Sequence, residues 1–129
     1  MAMPNDLIFI RHGQSEANIV QRAEKDGRKH LKADQINERP DWEQRLSANG
    51  IKQALQAKEW IDAHLGGAAS FDFHYFSPFL RTRETAAYIG GPECERWIIE
   101  DRVVERSWGL YGAISRAERA TVFAMTTKM

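Results

Sequence analysis

Arg11-His12-Gly13 sets an imidazole between a guanidinium and a residue with no side chain, and that grouping can do chemistry. A neutral imidazole is a nucleophile, and a glycine beside it lets the chain turn and brings backbone N–H groups close to an anion. Arg11 and, far along the chain, Arg81 are planar, permanently charged donors suited to gripping phosphate oxygens. Ser15 and Asn18 supply neutral donors nearby. A histidine between two such cations is disfavoured as imidazolium and so keeps a lone pair to attack phosphorus. The same cations neutralise charge gathering on the phosphoryl oxygens. Transfer also needs a proton for the departing oxygen, and Glu105, after Val103-Val104, is the candidate acid, expected to be partly desolvated.

These residues need a frame. Leu7-Ile8-Phe9-Ile10 is a continuous run of β-formers and predicts a strand buried on both faces that ends at Arg11-His12. Residues 19–45 are strongly polar and read as a charged insertion, helical at its start and loop-like after it, bordering the pocket. Ser47 caps a predicted helix with Ile51, Ala54, Leu55, Ile61 and Leu65 on one face and Gly66-Gly67 as its stop. A strand is expected over Phe71–Phe76 and then a second helix, with Ser77 as N-cap and Pro78 at the first position, running to about Ile89. That reading sets Arg81 in the helix's first turn, where unpaired N–H groups add positive potential. Arg96–Ile99 predicts a third strand, and the tail after Ser115 has helical character.

Strand, helix, strand, helix, strand is the pattern of an α/β three-layer sandwich with a largely parallel central sheet. Ligands of such sheets sit at the carboxyl ends of the strands, which brings Arg11-His12-Gly13 and Ser77-Pro78-Phe79-Leu80-Arg81 to one edge. The 129 residues read as a single domain, with 18 basic and 18 acidic side chains and one cysteine. Zero net charge and the absence of a basic stripe or a glycine-rich phosphate loop argue against nucleic-acid and anionic-membrane partners. Cys94, between Glu93 and Glu95, reads as a spectator thiol, and the lone cysteine fits a cytoplasmic protein. His30, His64 and His74 have no metal-ligand spacing, so neither a metal nor another cofactor is expected.

Four stretches resemble one family in its own motif order. Arg11-His12-Gly13-Gln14-Ser15-Glu16-Ala17-Asn18 resembles the signature of the histidine phosphatases, the phosphoglycerate-mutase-like superfamily. Leu46-Ser47-Ala48-Asn49-Gly50-Ile51-Lys52-Gln53-Ala54 is similar to their Leu-Ser/Thr-x-x-Gly-x-x-Gln-Ala helix start. Ser77-Pro78-Phe79-Leu80-Arg81-Thr82-Arg83-Glu84-Thr85-Ala86 resembles Ser-Pro-x-x-Arg-x-x-x-Thr-Ala, and Val104-Glu105-Arg106-Ser107-Trp108-Gly109 resembles the segment that carries the acid.

The resemblance implies metal-independent phosphoryl transfer from a small phosphorylated substrate through a phosphohistidine. His12 would be the nucleophile, Glu105 the proton donor, Arg11 and Arg81 the phosphate clamp, with Gly13, Ser15 and Asn18 completing the pocket. Phosphomonoester hydrolysis is the expected reaction, and mutase-type transfer the alternative. The family pattern also has a second catalytic His followed by Gly, whereas no His-Gly occurs here after His12-Gly13 and the last histidine is His74. The chain therefore reads as C-terminally truncated relative to that pattern, which leaves a non-catalytic phosphate-binding remnant as a further alternative. A shortened sheet would leave an apolar edge that invites self-association.

Overall fold

The computed structural model describes residues 3–105 and residue 118. Arg106, Ser107, Trp108 and Gly109 of the acid-bearing motif lie outside the described residues, as does the expected helical tail apart from Glu118. Four α-helices carry the described part: α1 (Glu16–Lys25), α2 (Ala33–Glu38), α3 (Ala48–Leu65) and α4 (Leu80–Gly90). Two short strands, β1 (Tyr75–Phe76) and β2 (Ile98–Ile99), pair in parallel, Tyr75 opposite Ile98 and Phe76 opposite Ile99. The chain crosses between them through α4, as a parallel pair requires. The architecture is α/β, helix-rich, with a small parallel sheet.

The long helix is where local sequence decided the outcome. Ser47 accepts from the Gly50 N–H at the N-terminus of α3, and Gly66 closes it in the left-handed conformation at φ 76°. Ala54 and Ile61 are buried as the apolar spacing predicts, but Leu55 faces solvent. Ala54 and Ile61 of α3 and Ala86 and Ile89 of α4 are the buried apolar residues of these two packed helices. A second small cluster, Val20, Ala33 and Ile36 with Ala17 against it, joins α1 to α2. The stretch expected to be loop-like beyond α1 thus contains a helix, because Ala33 and Ile36 give even a short turn a face to bury.

Other expectations are corrected. Leu7–Ile10 forms no strand, and its side chains are exposed, Phe9 at 85%. A run of β-formers becomes a strand only when a neighbour takes its N–H and C=O groups, and no described segment does so. The strands expected over Phe71–Phe76 and Arg96–Ile99 shrink to two residues each, flanked by 3₁₀ turns at Ala68–Ser70 and Gly91–Arg96. The second helix begins at Leu80, with Phe79 rather than Ser77 as N-cap. The Thr82 hydroxyl takes up the carbonyls of Ser77 and Phe79, at 2.8 and 2.6 Å, which satisfies the segment without further helical turn. Arg81 nevertheless lies in the first turn.

Candidate functional site

His12 sits on a loop whose path is fixed by main chain. Gly13 lies so close to Gly50 in the first turn of α3 that a Cβ on it would collide with the Gly50 carbonyl, and a Cβ on Gly50 would collide with the Gln14 carbonyl. Only a pair of glycines allows that approach. The contact is sewn by hydrogen bonds on both sides. Ser47 N and Oγ donate to the Gln14 carbonyl at 2.9 and 3.1 Å, and Gln14 N donates to Gln53 Oε1 at 2.8 Å. From the other side Thr85 of α4 accepts from Gly13 N at 3.4 Å while donating to the Arg81 carbonyl at 2.8 Å. The glycine and glutamine of the α3 motif, and the threonine of the α4 motif, therefore all act on the histidine loop.

Ser15 and Asn18 are accounted for by a capping box. Ser15 Oγ accepts from Asn18 N at 3.1 Å, and Asn18 Oδ1 accepts from Ser15 N at 3.0 Å. Ser15 is buried, 2% exposed, so its side chain serves the start of α1. The sequence reading gave both residues to the phosphate and missed the cap, although Ser-x-x-Asn ahead of a helix was its signal.

The ring of His12 is half-buried. Its Nδ1 lies 2.7 Å from the Gly13 carbonyl. A carbonyl has no proton to give, so Nδ1 carries the hydrogen. Nε2 then holds the lone pair, and it accepts from Arg81 Nε at 3.2 Å. Both bonds demand the same tautomer. Burial lowers the pKa of the ring below its ordinary 6.5, and the charges of Arg81 and Arg11 lower it further, against the opposing Gly13 bond and Glu105 charge.

Arg81 is the hub. Only 4% exposed, it uses every guanidinium N–H. Nε meets His12, Nη1 donates to the Asp41 carbonyl at 2.7 Å and Asp41 Oδ1 at 3.2 Å, and Nη2 donates to Asp41 Oδ2 at 3.4 Å and Glu105 Oε2 at 3.3 Å. The Phe79 ring lies beneath the guanidinium, 4.9 Å from Cζ. Glu105 thus reaches the group as expected, but its side chain is 58% exposed, not desolvated. Arg11 is exposed and acts on the ring through its charge.

Two residues were missed by sequence reasoning. Asp41 looked like part of a turn, and nothing local marked its contact with Arg81. Glu84 accepts from Leu46 N at 2.7 Å and Arg45 Nε at 2.8 Å, tying α4 to the segment that enters α3. A cavity of about 380 Å³ lined by Ile19, Leu31, Ile36, Glu16, His30 and Lys32 lies between α1, α2 and α3, and none of the expected site residues lines it. Among the described residues no cluster of His, Cys, Asp or Glu is arranged to hold a metal. No helix among them is long and apolar enough to cross a membrane.

The family description for the histidine phosphatase superfamily, branch 1, matches residues 7–128. The chain belongs to that superfamily. As a histidine phosphatase superfamily member it is 29% identical over 127 residues to a phosphoglycerate mutase-like protein of Arabidopsis thaliana. The alignment covers 92% of this chain and 36% of that protein, so the chain spans little more than a third of the relative's length. No solved structure matches it. Within the superfamily, phosphoryl transfer is the general chemistry, and in this member the first of the shared motifs meets the third where His12 Nε2 accepts from Arg81 Nε.

Proposed function

We propose that this histidine phosphatase superfamily member transfers a phosphoryl group through phospho-His12 and hydrolyses phosphomonoesters. The observation that carries the reading is the ring itself: Nδ1 is held by the Gly13 carbonyl and the Nε2 lone pair faces the Arg81 guanidinium. A lowered pKa keeps that lone pair unprotonated near neutrality.

In the first half-reaction Nε2 attacks phosphorus, the bond to the ester oxygen breaks, and Glu105 gives that oxygen its proton. In the second, water attacks phosphorus, its proton passes to Glu105, and the P–N bond breaks to release phosphate and restore His12. Arg81 and Arg11 neutralise the charge on the non-bridging oxygens in both steps. An arriving phosphoryl oxygen takes the place of Glu105 on Nη2, and Glu105, entering the cycle as the carboxylic acid, is left beside the departing oxygen with a proton to give. Ser15, Asn18 and Gly13 serve by fixing the path of the loop. The name of the plant relative supports a second reading, mutase-type transfer to another acceptor, which shares the first half-reaction.

The test is the 129-residue chain assayed on an aryl phosphate in excess chelator, beside His12→Ala. Retained activity that vanishes in the variant, with acid-labile phosphate trapped on His12 during turnover, is the expected result. Phosphate trapped on His12 but released only to an added alcohol would favour mutase-type transfer. Binding of inorganic phosphate with no trapped intermediate would overturn catalysis in favour of a binding role.

A further inference from the structure

We propose that Asp41 is a positioning residue for the reaction, holding the Arg81 guanidinium in the plane that presents Nε to His12; this rests on the phosphohistidine reading above. Three of the five guanidinium contacts belong to Asp41, two through its carboxylate and one through its own carbonyl. A planar fork gripped at Nη1 and Nη2 has its third nitrogen aimed by geometry alone. The remaining partner besides His12, Glu105, holds by one contact and is exposed. Asp41 is therefore what orients the cation.

The turn that offers Asp41 is itself anchored. Pro40 leads into the 3₁₀ turn Asp41–Glu43 in an extended conformation, and buried Gln44 donates from Nε2 to the carbonyls of Ile36 and Arg39 at 2.8 and 3.0 Å. The end of α2 and the turn are thereby fixed together. The Phe79 ring lies beneath the same guanidinium, 4.9 Å from Cζ. The Asp41 side chain is half-exposed, so its replacement opens no void in the core.

The charges that act on His12 are Arg11 on its own segment, Arg81 on α4 and Glu105 beyond β2. That gives a readout independent of activity, the titration of the His12 ring followed by NMR in the full chain, with the signal assigned by its loss in His12→Ala. If Asp41 acts through Arg81, Asp41→Ala lets the guanidinium leave Nε2 and the His12 titration moves up toward 6.5. Asp41→Asn, which keeps an acceptor for Nη1 and the backbone carbonyl, moves it less. On the aryl phosphate, kcat falls roughly tenfold in Asp41→Ala, as expected for losing charge-assisted contacts, with partial recovery in Asp41→Asn. An unchanged titration in both variants overturns the proposal, and so does a downward shift, which would mean that the carboxylate acts on the ring as a bare charge. Failure of the phosphohistidine reading shows instead as an inactive wild type whose ring still titrates as described.

Discussion

Arg81 Nε and His12 Nε2 meet at 3.2 Å across 69 residues of chain. The contact joins two separate motifs and depends on α4 packing against α3 and on the Gly13–Gly50 approach. Its disturbance by distant substitutions is therefore open to measurement.

The pH dependence follows from the depressed His12 pKa. Burial and the two arginines hold it below 6.5, so the neutral ring is the major form at and above that pH. The acid limb of kcat/KM is expected below pH 6.5, and Arg81→Ala should move it upward by removing one lowering charge. The sign for stability is the same: the unfolded chain binds this proton more readily, so stability declines as pH falls through 6.5 and levels off below the folded pKa. Urea unfolding at a series of pH values, wild type against His12→Ala, reads that difference. An acid limb above 6.5 would contradict it.

Arg81→Ala should also lower kcat by about 10²–10³, the usual loss on removing a donor that meets charge in the transition state. It strands the Asp41 and Glu105 carboxylates, but both are exposed enough to be hydrated, so the fold should survive by circular dichroism.

Gly50→Ala places a methyl into the Gln14 carbonyl. The backbone must shift, and a cost of about 1–3 kcal/mol is expected in denaturant unfolding. Because the shift is passed to the loop that carries His12, activity should fall as well. Ala48→Gly, on the same helix and away from that contact, is the control.

Thr85→Val removes the hydroxyl between Gly13 N and the Arg81 carbonyl while keeping its shape. The buried Gly13 N–H loses its partner, at about 1–3 kcal/mol. Thr85→Ser, which keeps the hydroxyl, should restore most of that stability, and a variant pair of equal stability would remove Thr85 from the frame of the site.

Much of the site was legible because its residues carry local signatures. Ser47 and Gly66 mark the ends of α3 by capping chemistry, and Arg81 stands one residue inside the start of α4. His12 and Arg81 were expected at one edge, and they do converge. What stayed hidden depends on partners. Leu7–Ile10 has the composition of a strand, yet pairing is a property of two segments, and the described chain gives it none. Asp41 reaches Arg81 partly through a main-chain carbonyl, which every residue has, so no residue type announces it. Glu105 was expected to be sheltered and is instead 58% exposed, and exposure is a property of surroundings that a residue type does not encode.

The imidazole of His12 is governed at two length scales. Which nitrogen carries the hydrogen is settled within a dipeptide, by the Gly13 carbonyl next door. How tightly the ring binds a further proton is settled first by burial, which outweighs the opposing Gly13 bond, and then by the charge of Arg81 on α4. As the protein unfolds, the ¹⁵N chemical shifts of the two ring nitrogens and the midpoint of its titration should therefore part company, the midpoint relaxing as soon as α3 and α4 separate. One side chain thus serves as a gauge of both neighbourhood and tertiary assembly.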